Sequence, residues 1–109
     1  MKEIRQAVLD NKNDLIEKTF CHELFEYGVF NAESLDALLE AIMKYAACFH
    51  GEDAEMRDLL RWIVQGVEQC FLSHHEDIDL FFIKNYSPNL EEKWRHCWKI
   101  ELEKFSRVF

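Results

Sequence analysis

The stretch Asp53–Phe71, DAEMRDLLRWIVQGVEQCF, decides the fold. Its apolar residues Met56, Leu59, Leu60, Ile63, Val64, Val67 and Phe71 recur at intervals of three and four, the spacing that keeps one face of an α-helix apolar. Asp53 stands at the N-cap position, where a carboxylate satisfies a free backbone N–H. Gly66 interrupts the pattern at a cost of about 1 kcal/mol relative to Ala, which points to a close helix crossing or a contact surface.

The same reading extends in both directions. Upstream, Asn31 caps a helix whose entry is fixed by Phe30 packing on Leu35, and Leu35, Leu38, Leu39, Ile42, Ala46 and Phe49 form its apolar face as far as Gly51. Before it, Ile4 and Val8 begin a stripe that Asn11-Lys12-Asn13 interrupts. Leu15, Ile16, Phe20, Leu24 and Tyr27 resume that stripe in a different phase, giving two short helices or one bent helix that ends at a left-handed Gly28. Downstream, Ser73 and Glu76 have capping-box spacing ahead of Ile78, Leu80, Phe81, Phe82 and Ile83, and 78–86 reads as a short helix or a buried strand. Ser87-Pro88 opens a last helix that turns Leu90, Trp94, Cys97, Trp98 and Phe105 inward. The expected fold is all-α, a single compact bundle of five or six helices forming one domain over 1–109, with Leu38, Ile42, Leu60, Ile63, Val67, Trp94 and Trp98 in its core.

Composition agrees with that fold and narrows the function. The chain has 109 residues, 49% of them hydrophobic, with nine Phe, three Trp and three Tyr, enough apolar surface to close a core. Three Gly and one Pro are too few for a turn-rich β-protein or a low-complexity chain. With 13 Lys+Arg against 21 Asp+Glu the net charge is −8. Such a chain repels phosphate, so direct nucleic-acid binding is disfavoured, and it attracts a basic protein partner. The first residues lack the apolar core of a signal peptide, and no apolar run approaches the roughly 20 residues that span a bilayer, so a cytoplasmic, membrane-free protein is expected.

No catalytic or cofactor signature is present. HExxH, GxSxG, GxxxxGK, GxGxxG and the Glu-x-x-His of di-metal bundles are all missing. Cys21, Cys48, Cys70 and Cys97 form no CxxC pair and lie near apolar stripes, where reduced thiols act as small hydrophobes. Acidic Glu52, Asp53 and Glu55 oppose a thiolate at Cys48 beside His50. The pairs His22/Glu26 and Glu92/His96, and the cluster His74-His75-Glu76-Asp77, are better explained by solvation and capping than by metal binding. The expectation is therefore a protein that is not an enzyme and carries no catalytic residue, metal ligand or cofactor.

The informative feature is the distribution of acid. From Asn31 to Asp58 seven carboxylates face only Lys44 and Arg57, a local net charge of −5. Glu33, Asp36 and Glu40 follow one outward stripe, and Glu55 and Asp58 begin another that continues to Trp62, Gln65 and Gln69. Glu33, Asp53 and Glu55 gain about 0.3–1 kcal/mol from helix N-termini, whereas Glu40 and Asp58 owe less to helix ends. Trp62 among acids and amides is either covered by another helix or the apolar anchor of an interface, since Trp is enriched among residues that carry binding energy.

In size, helical character, lack of a secretion signal and the acid concentration between Glu33 and Asp58, the chain resembles the small acidic immunity proteins that bacteria co-produce with nuclease toxins in colicin and contact-dependent growth inhibition systems. The resemblance implies stoichiometric inhibition, in which acidic side chains occupy the toxin's basic cleft or an adjacent exosite. The expected partner-binding residues are Glu33, Asp36, Glu40, Glu55, Asp58 and Trp62. Phage inhibitors of nucleic-acid-binding complexes, the anti-CRISPR proteins among them, would show the same composition for the same reason. A metal-binding helical protein using the histidine cluster, and a homo-oligomeric scaffold that buries Trp62 against its own copy, are the other readings. The oligomeric state stays open.

Overall fold

The computed structural model describes residues 2–12, 16–49, 51–76 and 80–109, and every regular element among them is helical. α1 (Lys2–Leu9) tightens into a 3₁₀ turn, Asp10–Lys12, and is followed by α2 (Phe20–Tyr27), α3 (Ala32–Cys48) and α4 (Ala54–His75). α5 (Pro88–Lys93), a π-helical turn (Trp94–Trp98) and α6 (Lys99–Ser106) follow one another without a break. The fold is all-α, as expected.

Side chains set the helix starts. Asn31 Oδ1 accepts the Ser34 N–H and Asp53 Oδ1 the Met56 N–H, both at 3.1 Å, and Ser87 Oγ accepts the Leu90 N–H ahead of Pro88. Thr19, which the hydrophobic pattern does not mark, caps α2 by accepting the His22 N–H at 3.1 Å. Each such cap contributes about 1 kcal/mol. Gly28 ends α2 at φ 69°, a conformation glycine adopts without steric cost, and its N–H donates to Leu24 O.

α4 is the core helix, burying Met56, Leu59, Leu60, Ile63, Val67, Cys70 and Phe71 along its length. It packs along α6, while α3 packs along α1. All seven expected core residues are buried. Phe30 ties the layers together, with ring centroids 5.1 Å from Phe20, 5.4 Å from Trp98 and 6.0 Å from Phe71. At Gly66 an added Cβ would lie 2.6 Å from Phe25 Cζ, so the glycine marks the close crossing of α2 over α4.

Three expectations are corrected. Ser73 and Glu76 do not open a new helix: α4 continues to His75, the Ser73 hydroxyl receives Gln69 Nε2, and Glu76 caps the end of α4 by donating its N–H to Ser73 O. Of 78–86, residues 80–86 are neither helix nor strand, and 78–79 lie outside the described residues, as does Leu15. The segment spends its hydrogen bonds on the α2–α3 connection instead. Lys84 N–H donates to Gly28 O at 2.8 Å, and the Asn85 amide both receives the Phe30 N–H and donates to Phe30 O. Cys97 is exposed, and the π turn is the cause. Its i→i+5 winding takes more residues per revolution than an α-helix, so Trp98, four residues after Trp94, stays inward while Cys97 swings out. Cys48, at the last turn of α3, is exposed as well, because Tyr45 and Phe49 take the inward positions there.

Candidate protein interface

The acidic side chains are held by different neighbours. Glu33 is exposed in the first turn of α3, and Glu40 is exposed but 3.2 Å from Lys44 one turn on. Asp36 Oδ1 receives the Trp98 indole N–H at 2.8 Å, so it partly serves the core. Glu55 is bound by Arg5 of α1 at 2.6 Å, whereas Asp58 lies 3.6 Å from Arg57 Nε, beyond hydrogen-bond length. Asp53, the one buried member of the group, is a structural hub: Arg5 Nε donates to it at 2.9 Å and the Tyr45 hydroxyl at 2.6 Å, while its own N–H donates to Phe109 O. The Arg5 bond, against the effect of burial, holds the Asp53 carboxyl down at about 2, and burial followed by the Asp53 contact pushes the Tyr45 phenol up.

Trp62 stands one helical turn beyond Asp58 on α4 and is half-buried. Its indole meets the Phe25 ring edge-on, centroids 5.5 Å apart and planes at 87°. That aromatic pair separates two depressions. One, about 370 Å³, is lined by Asn11, Lys12, Cys21, His22 and Glu26. The other, about 400 Å³, is lined by Gly66, Gln69, Cys70, Ser73 and Phe81. Phe81 continues the surface into a third, smaller depression with Tyr27, Leu80 and Phe82, which are 55%, 96% and 56% exposed. Tyr27, Leu80 and Phe82 are thus large apolar side chains left in water, and apolar groups gathered at a surface favour contact with another apolar surface. No family model matches the chain, and no curated protein or solved structure matches it.

The structure thus joins Trp62 to Phe25, which the sequence reading did not name, and to Phe81, which it placed in an apolar run; through Phe81 the surface continues to Tyr27, Leu80 and Phe82, read from the sequence only as members of apolar stripes. Gly66 was the available signal, since it marks where Phe25 comes close. The acids of α3 lean elsewhere: Asp36 reaches Trp98, while Trp62 reaches α2.

Of the histidine cluster, His74 and His75 make specific bonds, and Asp77 lies outside the described residues. His74 Nδ1 accepts the Ile83 N–H at 2.9 Å, and its ring stacks on Tyr86 with centroids 4.2 Å apart. His75 Nε2 lies 2.8 Å from Glu91 Oε1, which also receives the Tyr86 hydroxyl at 2.6 Å, and Arg95 reaches Glu91 Oε2 at 2.8 Å. Burial works against the charged Glu91 carboxylate, but Tyr86 and His75 outweigh it and lower its proton affinity. Among the described residues no group of three or more His, Cys, Asp or Glu is placed to hold a metal ion. Burial pushes the Cys70 thiol up to about 12 and the Cys21 thiol up as well, so neither supplies a thiolate at neutral pH. Among the described residues no helix is long and apolar enough to cross a membrane.

Proposed function

We propose that the protein is a cytoplasmic inhibitory binding protein, without catalytic activity, that takes a basic protein onto the face carrying Trp62. The nuclease domain of a toxin is the partner class that its charge fits, as in the immunity proteins the sequence resembles. The observation that carries this reading is Trp62, half-buried where a polar-lined depression meets an apolar one, on a chain of net charge −8. A half-exposed indole already held by Phe25 loses little freedom when a partner covers it, which makes it a low-entropy anchor.

The acids act around that anchor. Asp58, one turn from Trp62, borders the contact, and Glu33, Asp36, Glu40 and Glu55 add to the field that draws a basic surface in. Inhibition follows if the seated protein covers the nuclease's polyanion cleft or crowds its entrance. The test is titration calorimetry of the purified protein against a nuclease domain encoded beside it, with nuclease activity read in parallel. One-to-one binding that abolishes cleavage supports the proposal, and absence of both binding and inhibition removes it.

A further inference from the structure

The chain has five arginines, and three of them stand against carboxylates: Arg5 at Asp53 and Glu55, Arg95 at Glu91, and Arg57 at Asp58, 3.6 Å away. Among the described residues, neither Arg61 nor Arg107 has a carboxylate oxygen within 4.0 Å. Carboxylates are not scarce, at 21 against 13 basic residues. The two arginines belong to different helices, Arg61 to the second turn of α4 and Arg107 to the C-cap of α6, yet they line one depression of about 370 Å³ with Val64, Gln65, Glu103 and Ser106. The packing of α6 along α4 brings them there. A cation at Arg107 gains from the negative end of the α6 dipole, but Arg61 lies toward the positive end of its own helix and has no such benefit.

We propose that this depression binds a small phosphate monoester, whose phosphoryl oxygens Arg61 and Arg107 share. Two guanidinium groups lining one depression repel each other, and an anion between them turns that repulsion into attraction. At neutral pH a phosphate monoester carries close to two negative charges and three acceptor oxygens. It therefore balances both arginines and has oxygens for two N–H forks at once, whereas a carboxylate brings one charge and two oxygens, which a single fork occupies.

The other lining residues describe the body of the ligand. Val64 is half-buried and offers an apolar contact, and the exposed Gln65 adds an amide that can donate or accept. The Ser106 hydroxyl is already committed, donating to Glu103 O at 2.7 Å. Glu103 opposes the phosphate, and it suits a body bearing a hydroxyl or an amine from which its carboxylate can accept. Charge limits size as well. The net −8 of the chain repels every phosphate of a polynucleotide, while a monoester meets that field once and offsets it by contact with two guanidinium groups. The proposal concerns the α4–α6 groove and does not depend on a partner at Trp62.

Titration of the ¹⁵N-labelled protein with inorganic phosphate and with glycerol phosphate tests this, at about pH 7.5, above the second phosphate pKa of about 6, with sodium chloride of equal ionic strength as the control. The Gln65 and Arg107 amide signals should shift saturably with both phosphates and not with chloride, and acetate should need about tenfold more to reach the same shift. Arg61→Gln and Arg107→Gln should each weaken glycerol phosphate by about tenfold or more. Arg61→Lys, which keeps the charge but loses the fork, should fall between. Arg95→Gln, at a guanidinium already held by Glu91, should change nothing. Both lining arginines are exposed, so the variants keep the core intact. A short oligonucleotide with a terminal phosphate separates the two sources of the group and should bind more weakly than glycerol phosphate. The proposal is overturned if the phosphates move these signals no further than chloride does, if acetate saturates them as readily, if Arg61→Gln leaves the midpoint in place, or if the oligonucleotide binds more tightly than the small ester.

Discussion

The Trp62 indole rests edge-on against the ring of Phe25, 5.5 Å between centroids, directly beside the glycine that lets the two helices approach. The contact covers part of the indole and fixes its orientation. Covering by a neighbouring helix and anchoring of a partner, alternatives in the sequence, do not conflict for this residue: Phe25 of α2 packs on the indole, which stays half-buried.

Trp62→Ala should weaken partner binding by about 2 kcal/mol or more, mostly through faster dissociation, because a desolvated aromatic anchor acts on the lifetime of a complex. Surface-captured protein exposed to the nuclease domain, with both rates measured, checks this. An unchanged dissociation rate would remove Trp62 from the interface.

Charge reversal at Glu33 and Glu40 should act on the other rate. The double variant to Lys is expected to slow association and flatten its dependence on salt while leaving dissociation nearly unchanged, since peripheral charges steer encounter. Stopped-flow mixing at several salt concentrations separates the two effects.

Gly66→Ala sets two effects against each other. The helix gains about 1 kcal/mol in propensity, but the new methyl meets Phe25 Cζ at 2.6 Å and must displace that ring. The expected result is little change in stability and a changed Trp62 emission. In a Phe25→Ala background the same substitution should recover the propensity gain, a non-additivity that urea unfolding of the four proteins measures.

Asp53 predicts the acid limb of stability. Its carboxyl titrates near 2 in the folded chain against an ordinary 3.8, so the folded state binds fewer protons than the unfolded state between those values. Its contribution is complete above about pH 4 and is lost as the pH falls from there through 2. Asp53→Ala should cost about 2–3 kcal/mol at pH 7, combining a lost cap with the lost Arg5 and Tyr45 hydrogen bonds, although Arg5 keeps its bond to Glu55. Asp53→Asn keeps the cap but should flatten stability between pH 4 and 2, which unfolding curves at stepped pH would show.

Much of this fold is written locally, and the residues show why. Asn31, Asp53 and Ser87 cap their helices through atoms three residues away, and Gly28 ends α2 through its own φ, so the sequence names them directly. The 80–86 segment is different. Its Leu-Phe-Phe-Ile run looks like the interior of an element, yet its partners are Gly28, Phe30 and His74, distant or on another element, and periodicity carries no trace of them. Cys97 was misplaced for a related reason: a π turn shifts helical phase without any marker in the residues it contains. Trp62 was legible as an exception to its surroundings, but Phe25 and Phe81, which shape the depression beside it, come together only through the α2–α4 crossing and the fastening of the segment.

The most direct test of the central claim is the indole N–H spectrum of the ¹⁵N-labelled protein as the nuclease domain is added. Trp62 is half-exposed on the proposed face, whereas Trp94 and Trp98 are buried. The account predicts that the Trp62 signal shifts in proportion to complex formed while those of Trp94 and Trp98 stay close to their free positions. A complex that forms and inhibits the nuclease with the Trp62 signal unmoved would contradict it.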